Sequence, residues 1–424
     1  MVSAQIIEQA YDSDVNPPPH ELAGITLQEI EAAQRRLVGI IRPTPARVAD
    51  SLSRALGRSI ILKPEHRQRA GSFKIRGAYN RISQLPPGID VVAASAGNHA
   101  QGVALASSLT GRRSTIFMPD AASLPKIKAT EGYGATVVFG GAALDDCLGK
   151  ARSFADENRA VFVPPFNDPM IIAGQGTVGL ELADEVDVPP GQTVTVLIPV
   201  GGGGLVAGAA FALRHRMPGV RIIGVEAEGA ASMRRSLDAG VLITLDVVTT
   251  MADGIALKAP GELTLAIVRE LVDDVITVTE EEISQAVLLL LERAKAVVEP
   301  SGAVGLAAVM AGKVPGKGPA VIVLSGGNVD PLLLTNIIRH GLSAAGRYMR
   351  LRIVFKDSPG SLAALTAAIA TLGLNVLDVE HHRTGVAIGV DEVEVLVTVE
   401  TRNPDHRAEA VLALSQQGFR AELA

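Results

Sequence analysis

The sequence predicts an α/β protein in two parts: parallel sheets from about residue 25 to 341, then a smaller ferredoxin-like module. Three observations carry this. Short, nearly all-apolar runs alternate with helical stretches through the first part, as strands buried on both faces of a parallel sheet do. Composition changes at residues 342–349, a Gly/Ser/Arg stretch that reads as a linker. Beyond it the segments follow the order β-α-β-β-α-β.

Residues 1–24 mix acids and prolines and read as a flexible extension without an export signal. Thr26 and Glu29 then form a capping-box pair, and Leu27, Ile30, Ala33 and Leu37 repeat at helical spacing, so a helix starts here and stops before Arg42. The runs RSIILK, GIDVVAAS, RSTIFMP, ATVVFGG, AVFVPPF, TVTVLIPV, VRIIGVEAE and GPAVIVLSGG are the expected strands. The long apolar stretch from Val194 holds Pro199 and four glycines, so it reads as strand, loop and helix rather than a membrane span. In the second part, Leu351–Phe355 and VEVLVTVE alternate as half-buried strands, Asp357-Ser358-Pro359-Gly360 makes a turn, and Leu362, Leu365, Ile369 and Leu372 mark a helix.

The chain has 424 residues, too many for one ordinary core. Its 39 basic and 45 acidic groups, its lack of Trp and the absence of a Lys/Arg block leave little for nucleic acid to bind. A single cysteine, Cys147, excludes an internal disulfide framework and fits a reducing, cytoplasmic compartment.

The chemistry concentrates in three segments of one design, a strand followed by a small-residue loop: VVAASAGNHAQGVALA, VTVLIPVGGGGLVAGAA and AVIVLSGGN. Such loops sit at the carboxyl ends of parallel strands, where ligands bind. Gly201, Gly202, Gly203 and Gly204 suit a phosphate, because backbone amides without Cβ atoms can close around a dianion. The same glycines, with Ala207 and with Glu226 at the end of a later strand, also fit a dinucleotide fingerprint, so an NAD-binding dehydrogenase is the rival from another class. Lys74 lies among apolar and small residues. A lysine that forms a Schiff base must lose its proton, which an apolar setting or a nearby cation such as Arg76 would favour. Together these groups offer an anchor for each part of pyridoxal phosphate.

The motifs SFKIRGAYN, AASAGNHAQGVA, GGGGL and LSGGN, in this order, closely resemble the threonine dehydratases (threonine ammonia-lyases) of the tryptophan-synthase-β-like class, over about residues 25 to 340. The resemblance implies a two-lobed parallel-sheet catalytic region, with a small lobe at about 56–150 inserted in the large one. It implies pyridoxal 5'-phosphate as cofactor, Lys74 as the Schiff-base lysine and Phe73 as its packing neighbour. Asn98 would bond the phenolic oxygen, Gly201 to Gly204 with Leu205 would cradle the phosphate, and Ser325 would face the ring nitrogen. Ser95 and the amides of Gly97, Asn98 and His99 would receive the substrate carboxylate. The implied reaction takes L-threonine, and L-serine beside it, to 2-oxobutanoate or pyruvate and ammonia, a route into isoleucine biosynthesis.

Relatives on the same scaffold differ at single positions. Serine racemases place a second serine where Ala96 stands, and sulfhydrylases and threonine synthases carry Asp and Thr where this chain has Ile75 and His99. A racemase-like or serine-dehydratase-like enzyme is the nearer alternative. Arg67 and Ala70 depart from the family pattern and are expected to alter the pocket entrance, while Ala231 and Ser232 replace the acids of a cation site, so no metal is expected. Glu299 either lines the cofactor ring or caps a helix. Residues 350–424 resemble an ACT domain, which implies a small amino-acid effector, isoleucine or valine, and pairing between subunits in a homodimer or homotetramer.

Overall fold

The computed structural model describes residues 19–344, 346–383 and 389–424; the expected extension up to Pro18 lies outside the described residues. Thr26 caps the first helix, Leu27–Leu37, and the reciprocal bond from the Thr26 amide to Glu29 is present. Just before it, Glu21–Leu22 pairs antiparallel with Ile25–Thr26.

Two sheets build the first part. The larger has six strands in the order Asp274–Val278, Arg221–Ala227, Thr195–Pro199, Ala320–Val323, Ile60–Lys63 and Arg47–Val48. Its first five strands are parallel, and Arg47–Val48 closes one edge antiparallel. One apolar core lies on each face, which is why Val196, Leu197 and Ile198 are all fully buried. The smaller sheet is parallel throughout, in the order Thr136–Phe139, Ser114–Met118, Val91–Ala94 and Val161–Phe162. Its strands lie between Val91 and Phe162, whereas Ile60–Lys63, inside the span 56–150 expected for the small lobe, belongs to the larger sheet.

The apolar runs named from sequence all become strands. Asp274–Val278 is an additional one, headed by two acids and followed at once by the capping box Thr279/Glu282 of the next helix, so its apolar signal is short.

The helix Lys74–Ile82 packs on Pro169–Glu185 through glycines: a Cβ on Gly174 would stand 2.6 Å from the Gly77 Cα. Any larger residue there would push the Lys74 helix off its support.

The second module has the ferredoxin-like order, with antiparallel strands arranged Val376–His382, Glu392–Glu400, Tyr348–Lys356 and Arg420–Leu423. Helices Ser361–Thr371 and Pro404–Gln416 help to enclose its core of Leu351, Ile353, Leu365, Ile369, Val395 and Leu414. The helix Pro331–Ala344 leads to it, ending four residues before Tyr348 and occupying the start of the expected linker. Among the described residues no helix is long and apolar enough to cross a membrane.

Candidate active site

A cleft of about 250 Å³ is walled by loops at the carboxyl ends of strands from both sheets. Every residue expected at the site lines it: Phe73, Lys74, Ser95, Gly97, Asn98, His99, Gly201, Gly202, Gly203, Gly204, Leu205 and Ser325. They come from four separate segments, joined here by the sheet topology rather than by sequence proximity.

Lys74 opens its helix, and its Nζ donates to the Pro165 carbonyl at 2.9 Å. Burial pushes its ammonium down to about 8, against the pull of the Glu299 carboxylate. About a tenth of it is therefore neutral at pH 7, far more than for an exposed lysine. The sequence suggested Arg76 as a neighbouring cation with this effect, and the structure corrects that. Arg76 is fully buried and forks onto Glu65 and Glu181, at 2.8 and 2.6 Å, so its charge is spent on carboxylates rather than on Lys74. Burial alone would lower the Arg76 pKa; the two carboxylates outweigh it and leave it above its ordinary value. Lys63, also fully buried, joins through Glu181 at 2.7 Å and Glu185 at 2.8 Å.

The glycine loop joins the strand Thr195–Pro199 to the helix Gly204–Arg216. A Cβ on Gly202 would lie 2.3 Å from the Phe166 ring, and one on Gly203, at φ +91, would lie 2.7 Å from Met233. No side chain fits, and among the described residues the amides of Gly201 to Leu205 donate no hydrogen bond within the chain. Unpaired amides at a helix start, with no Cβ in the way, are a cradle for a phosphate.

On the opposite wall the helix Asn98–Leu109 begins at Gly97, whose amide donates to the Ser95 Oγ at 3.1 Å. That amide is thus engaged by Ser95, whereas those of Asn98 and His99 have no acceptor among the described residues. Burial, reinforced by the Lys74 charge, lowers His99 to about 3, and its Nε2 lies 2.9 Å from the Val163 carbonyl. A carbonyl only accepts, so Nε2 carries the proton of a neutral ring. Asn98 donates to Glu299 Oε1 at 2.7 Å and accepts from Asn328 at 2.8 Å. Glu299 occupies the N-cap position of the helix Pro300–Met310, yet its side chain makes no capping bond. It lines the cleft instead, with its pKa raised to about 7 by burial and by Asp253.

Glu226 is not free to hold a ribose. It is fully buried, and its two carboxylate oxygens accept from the amides of Met233 and Arg234, at 2.9 and 2.8 Å. Burial raises its pKa to about 7 despite those bonds. Among the described residues no three or more His, Cys, Asp or Glu side chains gather to hold a metal.

Sequence reasoning missed several cleft residues. Phe166 shapes the glycine loop, and Asn328 lies three residues beyond Ser325. Lys126 and Asp253 form an ion pair between the two lobes at the cleft, and Lys258 meets Asp145 at 3.2 Å nearby. Only the Asn of SGGN carried a local signal; the ion pairs join residues more than a hundred positions apart. Arg67 and Ala70, expected at the entrance, are not part of this cleft; both border separate cavities.

Pyridoxal phosphate fits these residues: an amine-bearing side chain kept partly neutral by burial, a phosphate cradle that refuses Cβ atoms, and polar groups along the wall between them. The sequence matches the family of pyridoxal-phosphate dependent enzymes over residues 37–326, and the chain belongs to that family. It is 43% identical over 394 residues to an L-threonine ammonia-lyase of Geobacter sulfurreducens, covering 92% of this chain and 97% of that protein. A crystal structure of a threonine deaminase from T.th. superposes with a TM-score of 0.68 at 42% identity, over 72% of this chain and 98% of that one. The structure of maize serine racemase gives 0.69 at 36% identity, over 75% and 98%.

Proposed function

We propose that the chain is a pyridoxal-phosphate-dependent ammonia-lyase that converts L-threonine, and L-serine beside it, to 2-oxobutanoate or pyruvate and ammonia. The observation that carries this is the placement of Lys74, the glycine cradle and the Ser95–His99 loop around one cleft. Pyridoxal phosphate, when bound, supplies an electron sink for the substrate α-carbon.

The chain's own residues do the rest. Gly201 to Gly204 and Leu205 hold the phosphate through amides. Lys74 would be the residue that anchors the cofactor, and its Nζ, when free, would be the base for the substrate α-proton. The Ser95 hydroxyl and the amides of Asn98 and His99 receive the substrate carboxylate. Asn98 holds the phenolic edge. Ser325 presents a neutral hydroxyl to the ring nitrogen, which, unlike a carboxylate, does not keep that nitrogen protonated. Overall the α-proton and β-hydroxyl leave as water, and hydrolysis of the resulting enamine returns the water and frees ammonia. Ala96 supports elimination over racemisation, because it offers no hydroxyl to reprotonate the opposite face of the α-carbon.

The reading extends to a cytoplasmic homodimer or homotetramer whose residues 350–424 form an ACT-like regulatory module responding to isoleucine or valine. Supporting it are the module's strand order and its edge strand Val376–His382, most of whose residues are exposed. The match to the Geobacter sulfurreducens protein is also too long to end before this module.

The test is turnover of L-threonine by the purified holoenzyme, with borohydride expected to fix the chromophore on the peptide holding Lys74. Lys74→Ala should abolish 2-oxobutanoate formation yet keep some cofactor through the phosphate cradle. A colourless protein, full turnover by the variant, or rapid racemisation of serine would overturn the reading.

A further inference from the structure

We propose that the Ser301 hydroxyl is a second contact for the nitrogen edge of the pyridoxal phosphate ring, beside Ser325; the proposal rests on the cofactor assignment above. Ser301 is the second residue of the helix Pro300–Met310 and is 1% exposed. Its Oγ has no hydrogen-bond partner, and the residue lines the cleft. A buried hydroxyl left unpaired is costly, so the partner it lacks within the chain points to a ligand.

The neighbours say which part of the ligand. A Cβ on Gly302 would lie 2.9 Å from the carbonyl oxygen and 3.2 Å from the amide nitrogen of Gly326, so the helix start abuts the turn just after Ser325. A Cβ on Gly254 would lie 2.8 Å from the Ser301 Oγ and 3.4 Å from Glu299 Oε1. A side chain at Gly254 would press on the Ser301 hydroxyl, so the glycine keeps that hydroxyl free of a covering group. Ser301 and Ser325 then present two hydroxyls from two different elements on one wall.

The electrostatics agree. Ser301 sits at the positive end of an eleven-residue helix, and its own amide has no acceptor among the described residues. That end disfavours a protonated ring nitrogen and suits a neutral one that accepts a hydrogen bond. Ser325 acts in the same sense.

Ser301→Ala and Ser301→Thr test the assignment by readouts other than turnover. Titrating apoprotein with pyridoxal phosphate, Ser301→Ala should bind about fivefold more weakly, the effect of one hydrogen bond. Its bound chromophore should absorb at a shifted wavelength, and the unfolding midpoint of its apoprotein should not fall, since an unsatisfied hydroxyl has been removed. Ser301→Thr keeps a hydroxyl and should restore affinity and spectrum. Wild-type affinity with an unshifted spectrum in Ser301→Ala would overturn the proposal, as would a destabilised Ser301→Ala apoprotein, which would reveal a partner inside the chain. Failure of the underlying reading looks different: the wild-type chain then forms no borohydride-reducible chromophore, and the Ser301 role falls with it.

Discussion

Replacing Arg76 with methionine should be among the most damaging single changes in the catalytic region. The guanidinium donates to both oxygens of Glu65 at 2.8 Å, to those of Glu181 at 2.6 and 2.8 Å, and to the hydroxyls of Thr177 and Thr44 at 3.0 and 3.3 Å. After its removal Glu181 keeps Lys63, and its carboxylate is 20% exposed. Among the described residues Glu65 keeps only the Thr44 hydroxyl, and it is completely buried. One uncompensated interior charge remains, which costs about 3–5 kcal/mol. Arg76→Lys preserves the charge but loses the fork, so its penalty should be smaller. The assay is urea unfolding of the apoprotein followed by far-UV circular dichroism, reading the midpoint of the catalytic region's transition. Adding Glu65→Gln to Arg76→Met removes the stranded charge and should recover part of the loss. An unshifted midpoint for Arg76→Met, or no recovery in the double variant, would refute the reasoning.

Gly202→Ala should weaken pyridoxal phosphate binding by more than about tenfold in an absorbance titration, because the added Cβ would lie 2.3 Å from the Phe166 ring and must spread the cradle. Capture of the cofactor by apoprotein should slow by about tenfold per pH unit below about 8 and level off above it, because Lys74, pushed down to about 8 by burial, reacts only when neutral; a rate independent of pH between 6 and 8 would remove that role for its titration. Ending the chain after Ala344 should preserve threonine turnover and abolish any response to isoleucine or valine, an effect of typically 5–150-fold in apparent affinity in the intact enzyme. A truncated enzyme that still responds would place the effector site in the catalytic region.

What could be read from the sequence is what repeats locally. Apolar runs ending in small-residue loops revealed the strands whose carboxyl ends wall the cleft, and the capping box of Thr26 and Glu29 marked the start of its helix to the residue. The missed strand Asp274–Val278 has only a brief apolar core between two acids and a helix cap. Interactions between distant segments left no trace. Lys63, Glu65, Arg76 and Glu181 are unremarkable charges along the chain, and only the folded topology brings them into one buried cluster. For the same reason Arg76 read as a cation acting on Lys74, when its partners were carboxylates at other positions. Glu299 was ambiguous between cap and cleft because both roles occupy a helix start; the bond from Asn98, some two hundred residues earlier, separates them.

The helix Pro331–Ala344 begins just after Asn328, whose amide nitrogen holds the Ala70 carbonyl at 2.8 Å and the Asn98 side chain at the same distance. Fourteen residues make a rod roughly 21 Å long, at about 1.5 Å per residue. Its far end is four residues short of the first strand of the second module. The rod is packed along its length: Ile337 is buried in one core of the larger sheet, and a Cβ on Gly341 would lie 3.0 Å from the Ser284 carbonyl. The second module therefore starts from a rod fixed against the larger sheet's helices, with only three residues between the rod's end and the module's first strand, so its starting point is set by the catalytic region itself.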